Sequence, residues 1–322
     1  MTKPIRPKKL PWCAYPKVTE VQGHGLLFHK KDLPVVDFER ALPYRSATYT
    51  IKPTKNLDTS QILALAHVIS SSFAANEPMN KHVHPPRQPH KQLINVTHQD
   101  VFGNDPFGSW TKVNLLYWFV RLNLITDPSH PKGAIQKNND VIGHSLVITN
   151  KDSKPIGGSL NSTLPHKKEK ERHNDPFLEA TFSYQYPILD FIYQHEGMAI
   201  QTLSDNYPHF KKAHQSGKVG YIAMIARSTE LPSEHTFELF VSSFENFQKL
   251  GYEYILITGT NQWTGAACEV LGAARIYFAP FRDKTRVAKE NEAGLNEPFS
   301  SDGFISGKDS GLMVYALKLK ND

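Results

Sequence analysis

At 322 residues, 39% hydrophobic and 21% charged, the chain has the ordinary composition of a globular protein and is long enough for a sizeable core in one or two domains. Its net charge of +6 comes from scattered Lys and Arg, which suits phosphorylated or acidic small molecules and is weaker than a committed nucleic-acid binder shows. Two cysteines, Cys13 and Cys268, make neither a disulfide framework nor a zinc site, and no apolar run is long enough to span a membrane or forms a signal peptide. A soluble, cytoplasmic protein is expected.

Residues 1–45 read as irregular, with a basic arm over 1–17 and Trp12 and Tyr15 as its docking residues. A single α/β domain over 46–322 follows. Residues 46–52 alternate as a first strand. Asp58 and Gln61 form a capping-box signature for a helix with Ile62, Leu65, Ala66, Ile69 and Phe73 on one face. That helix runs into Phe73-Ala74-Ala75-Asn76-Glu77-Pro78-Met79, where Pro78 keeps Glu77 out of helical geometry and in an extended segment. His82, His84, His90 and His98 lie in a proline-broken loop with no carboxylate or cysteine at ligand spacing. They read as solvated, so no metal site is expected. Residues 101–108 are a turn-rich loop, either a lid or a satellite apolar cluster, and Ser109 caps a core helix through Leu115 to Val120.

Residues 141–149 and 154–162 read as two strands around the turn Asn150-Lys151-Asp152-Ser153. Two insertions are expected, a largely helical one within about 164–217 and a polar one over about 282–310, before a closing strand at 312–319. Between the insertions, 219–226 reads as a buried strand. Ser233 then caps a helix with Phe237, Phe240, Val241, Phe244 and Phe247 on one face, stopped by Gly251. A second buried strand, 254–258, leads to a helix bearing Trp263, Ala266, Ala267, Val270 and Leu271, and 275–279 reads as a third strand. This βαβ order pairs the first two strands in parallel, with a V-shaped opening expected between them at Ala223 and Leu256.

Asn261 opening a helix that closes on Leu271-Gly272-Ala273 resembles the end of the acyl-CoA site in N-acyltransferases of the GNAT superfamily. Phe73-x-x-x-Glu77-Pro78-Met79 resembles the motif of its arylalkylamine N-acetyltransferase branch, and Ile156-Gly157-Gly158-Ser159-Leu160 resembles the family's third strand, where small residues let a substrate approach. The resemblance spans roughly residues 45–319. It implies a GNAT-like mixed β-sheet flanked by helices with a central parallel strand pair, and an acyl-CoA-dependent N-acyltransferase that moves an acetyl or other acyl group to a small amine by direct attack on the thioester. Glu77 matches the catalytic base. Ala223, Ile225 and Ala226 match the central-strand backbone donors, and Ser233 and Asn261 the helix starts that hold acyl-CoA. Cys268 stands where the family carries an acidic Tyr, and Thr264 where the branch carries a hydroxyl.

Taken alone, Glu77 reads as a solvated residue at a helix end, and the downstream elements in their order bring the two readings level; Cys268 reads as a small core residue. His195 and Glu196 in the first insertion are the next bases to consider. The sequence departs from the family at the pyrophosphate loop. Counting back from Gly251 puts Pro232 and Glu234 where its glycines belong, so a proline without an N–H and a carboxylate replace backbone donors. The other reading is therefore an inactive GNAT-fold module that binds a ligand or a protein through the same cleft. Nucleic acid is the least supported partner.

Overall fold

The computed structural model describes residues 32–36, 38, 49–76, 112–126, 136–137, 139–165, 186–232, 234–280 and 311–320. Seven strands form one sheet: β1 (Thr50–Pro53), β2 (Leu146–Thr149), β3 (Pro155–Thr163), β4 (Val219–Arg227), β5 (Tyr254–Gly259), β6 (Ala274–Pro280) and β7 (Gly311–Lys318). Their order is β1-β2-β3-β4-β5-β7-β6, with every pairing antiparallel except β4–β5. The expected mixed sheet with a central parallel pair is observed. Residues 125–126 and 136–137 make a separate small ribbon.

Seven helices are described: α1 (Thr59–Asn76), α2 (Lys112–Leu124), α3 (Asn139–His144), α4 (Tyr186–Asn206), α5 (Pro208–Gln215), α6 (Glu234–Lys249) and α7 (Gln262–Val270). The alternation of β5 sets where they pack. Tyr254 and Leu256 enter a cluster with Phe191, Leu203 and Phe210 of α4 and α5, while Ile255 and Ile257 enter another with the α6 phenylalanines and with Ala267 and Leu271 at α7. A third cluster joins Leu65 and Ile69 of α1 to Val120 of α2 and Leu160 of β3.

Local signals hold where they were expected. Asp58 N–H donates to Gln61 Oε1 at 3.2 Å and Gln61 N–H to Asp58 Oδ1 at 2.8 Å, a closed capping box. The α6 stripe from Phe237 to Phe247 is buried throughout. Past its end Tyr252 N–H returns to Phe247 O at 3.1 Å, and Gly251 turns at φ 80°, which only glycine adopts without strain.

Two expectations are corrected. Residues 141–144 are the end of α3, not a strand. Asp140, in the first turn, accepts from Thr163 Oγ1 at 2.9 Å and faces His144, whose Nε2 meets Tyr252 Oη at 2.7 Å, so partners from a strand and a loop distant in sequence hold the helical turn. The glycines of β3 admit helix and loop side chains, not a substrate. A Cβ at Gly158 would lie 2.5 Å from Leu65 Cδ1, and one at Gly157 would lie 2.8 Å from Leu231 Cδ2. Beyond the expected arm, which lies outside the described residues, part of the segment read as irregular is seated on the sheet: Val36 N–H donates to Lys318 O at 3.0 Å and Lys318 N–H to Pro34 O at 2.8 Å. The described residues include no helix long and apolar enough to cross a membrane.

Gly158→Ala forces Leu65 to move and should cost about 1–3 kcal/mol in chemical denaturation. Leu65→Ala in the same chain should recover part of that loss, a non-additivity that checks the contact.

Burial lowers the His144 pKa from its ordinary 6.5, but hydrogen bonds to Asp140 and that group's charge outweigh it and raise the pKa overall. Burial raises the Asp140 pKa, and its bonds to His144 and Thr163 bring it below 3.8. A raised His pKa stabilises the fold fully below about 6.5 and less as pH climbs through the folded value; a lowered Asp pKa stabilises it above about 3.8 and less as pH falls. The stability gap between wild type and His144→Asn should therefore be widest near pH 5 and narrow in alkali, as read by denaturation across pH.

Candidate active site

The parallel pairing of β4 and β5 runs from Val219↔Tyr254 to Ile222↔Ile257 and stops, although β4 continues to Arg227 and β5 to Gly259. The cause lies on the other side of β4. Leu160 of β3 pairs with Met224 and Asn161 with Ile222, so Ala223 has no partner in the register. A bulge of this kind bends a strand and sharpens its twist. It turns β4 away from β5, and Ala223 is left exposed in the middle of a central strand. The opening lies between Ala223 and Thr258. The expected position at Leu256 is corrected, because Leu256 still pairs with Tyr221.

A cleft enclosing about 790 Å³, part of it open to solvent, occupies this opening. Phe73 of α1, Leu116 and Phe119 of α2 and Ile188, Leu189 and Ile192 of α4 line it, with Met224, Ile225 and Phe240. Its polar lining is Tyr221, Thr258, Thr260, Asn261 and Thr264, and no charged side chain lines it among the described residues. One carboxylate stands directly behind. Glu196 of α4 is fully buried, and its Oε1 accepts from Tyr221 Oη at 2.5 Å and from Thr258 Oγ1. Burial, then the charge and hydrogen bond of Glu196, push the Tyr221 phenol well above its ordinary pKa, so it stays a neutral donor. His195, the neighbouring residue, meets Tyr277 Oη through Nδ1 at 3.0 Å.

Of the residues nominated from sequence, Ala223, Ile225, Asn261 and Thr264 line the cleft. Asn261 caps α7, its Oδ1 accepting from Thr264 N–H at 2.9 Å and Thr264 Oγ1 at 3.1 Å, which aligns both on the cleft wall. Ala226 is buried in the cluster of α1 and α2. Cys268 is not brought to the cleft. It is fully buried in the α6–α7 core, where burial, and then Glu269, push its thiol pKa well up. Glu77 and Ser233 lie outside the described residues. Before α6, Arg227 Nη1 donates to Leu231 O at 2.7 Å, and one turn into the helix His235 Nδ1 meets Glu238 Oε2 at 2.8 Å. The described residues contain no group of His, Cys, Asp and Glu able to hold a metal ion.

Tyr221 and Thr258 escaped the sequence reading. The signal was Glu196, four residues after Ile192 and three before Ala199, a charged residue on the apolar stripe of a helix.

The seven-stranded sheet, with one parallel pair that splays beside a strand bulge, has the mixed arrangement that the resemblance to GNAT proteins implied. No family model matches the sequence, and no curated protein matches it. Among solved structures, the chain is similar to arylalkylamine N-acetyltransferase 7 of the yellow fever mosquito Aedes aegypti, with 11% identity, 84% of this chain and 87% of that one covered, and a TM-score of 0.48. Arylalkylamine N-acetyltransferase 2 of Aedes aegypti gives 12%, 84% and 98%, and 0.48. The C-terminal condensation domain of Ebony in complex with β-alanyl-dopamine gives 12%, 84% and 98%, and 0.49.

In a Cys13→Ser background, native protein should not react with a thiol reagent at neutral pH, and the single remaining thiol should react once the chain is denatured. Fast labelling of the native state would place Cys268 at an accessible site.

Proposed function

We propose that the protein is an acyl-CoA-dependent N-acyltransferase that transfers an acetyl or similar acyl group to a small amine by direct attack on the thioester. The observation that carries this reading is the splay of β4 from β5 at Ala223, which opens a largely apolar cleft with hydroxyl and amide side chains in its wall. Beyond Ile222 the edge of β4 that faces β5 has no strand partner. Backbone N–H groups between Ala223 and Ala226 are then available to an extended, amide-bearing donor and to the oxyanion that forms during transfer. Asn261 and Thr264 supply polar groups opposite.

A primary amine is protonated at neutral pH and attacks only after losing a proton, so a base is required. Glu77 is the proposed base. Phe73 of α1 lines the cleft, α1 ends at Asn76, and Glu77 is the next residue in the chain. The apolar wall favours an amine with an aryl or alkyl body over one with a second charge. The cytoplasmic location expected from the cysteines belongs to this proposal.

The residues suit the thioester end of coenzyme A better than its diphosphate end. Pro232 offers no N–H, and the residue that opens α6 is Glu234 where the family carries a glycine. That observation favours the second reading, an inactive ligand- or protein-binding module. Calorimetry with acetyl-CoA, followed by turnover assays over a panel from 2-phenylethylamine to agmatine, separates the two. Turnover is expected, and Glu77→Gln should lower it roughly 10²–10⁴-fold at neutral pH, with a smaller deficit in alkali where the amine deprotonates unaided. Absence of both binding and turnover would leave the module reading.

A further inference from the structure

Glu196 is carried by the insertion helix α4, is wholly buried, and presents one oxygen to two hydroxyls, those of Tyr221 on β4 and Thr258 on β5. Both hydroxyl-bearing residues line the cleft. They sit on the two strands that diverge there, Tyr221 two residues before the bulge at Ala223. A carboxylate used only to anchor α4 would serve no better than a glutamine, and burying its charge costs several kcal/mol. Its hydroxyl partners belong to residues of the cleft wall, which links the buried carboxylate to the cleft through two hydrogen bonds. Tyr193, one turn earlier on α4, is the other phenol acting on Tyr221, while His195 is engaged with Tyr277.

The chemistry has a place for such a group. A protonated amine loses two protons on becoming an amide, one before attack and one from the tetrahedral adduct, and the departing sulfur takes one up. We infer that Tyr221 and Glu196 form a proton relay between the adduct nitrogen and the leaving sulfur, an inference that rests on the acyltransferase reading above. As the nitrogen lone pair forms the C–N bond, the adduct nitrogen gives its proton to Tyr221 Oη while Tyr221 gives its own to Glu196 Oε1. When the carbonyl re-forms, the C–S bond breaks and its electron pair goes to sulfur. Glu196 then returns its proton to Tyr221, and Tyr221 protonates the thiolate. Glu196 ends charged, as it began, and the proton lost before attack is the separate task proposed for Glu77. Tyr221 is the catalytic residue of the pair; Glu196 acts through it as a positioning and storing group.

The test compares wild type, Glu196→Gln, Glu196→Asp, Tyr221→Phe and the Glu196→Gln/Tyr221→Phe double variant, with acetyl-CoA and 2-phenylethylamine from pH 6 to 10. Thermal unfolding is recorded for each. Glu196→Gln should lower kcat roughly 10²-fold while the KM for acetyl-CoA stays near wild type. Tyr221→Phe, which keeps the ring and its packing, should lose a similar factor, the double variant should lose no more than either single, and Glu196→Asp should recover part. The deficit should persist in alkali, unlike that of Glu77→Gln, because raising pH supplies neutral amine without assisting the adduct. Wild-type kcat in Glu196→Gln, or losses that multiply in the double variant, would overturn the relay and leave the acyltransferase reading standing. A wild type inactive towards every amine of the panel would remove that reading, and the relay with it.

Discussion

From Leu160 to Asn161, β3 advances one residue while β4 opposite advances two, from Met224 back to Ile222. The surplus residue, Ala223, cannot enter the ladder, and the strand takes up the mismatch as a bend. Because β3 is held on its far side by β2, the bend moves β4 away from its parallel neighbour β5. A parallel pair inside a sheet is ordinarily closed along its length and covered on both faces, which leaves no backbone group for a ligand. Here the first four register pairs hold the fold together, and the separation beyond them supplies the cleft.

What surrounds the opening decides what the opening can do. α1, α2 and α4 bring aliphatic and aromatic side chains to the cleft, so it is a poor solvent for an ammonium ion, and an amine that enters is pushed towards its neutral, nucleophilic form. The same low polarity strengthens hydrogen bonds to an oxyanion. A charge inside that environment has to be held by dipoles, as Glu196 is by the hydroxyls of Tyr221 and Thr258. The apolar walls and the buried carboxylate thus belong to one electrostatic arrangement, with the charge held behind the cleft wall.

The features readable from sequence were those whose causes are local. Asp58 and Gln61 cap α1 from three residues apart, Asn261 caps α7 over the same distance, and the α6 phenylalanines recur at helical spacing. Each needs only neighbours within a turn. Residues 141–144 depart from the strand expected there because the short apolar pair Val141-Ile142 fits either state, and the choice was made by Thr163 of β3 and by Tyr252 in the loop before β5. The bulge at Ala223 leaves no mark on β4 itself, since it arises from counting two strands against each other. Glu196, Tyr221 and Thr258 come from three separated segments, and only the first breaks a local pattern.

The start of α6 separates binding from chemistry. A helix N-terminus favours an anion by roughly 0.3–1 kcal/mol per charge at an exposed site. Just before this helix Pro232 withholds a backbone donor that a diphosphate would use. In the proposed acyltransferase such a loss would act far from the reacting carbonyl, equally on bound donor and transition state, and would weaken capture of the donor without slowing the step at Ala223. An altered phosphate loop and a working catalytic cleft are therefore compatible in one chain. In that reading the cost falls on affinity for the nucleotide end of the donor, and the splayed strands are left to hold the end that reacts.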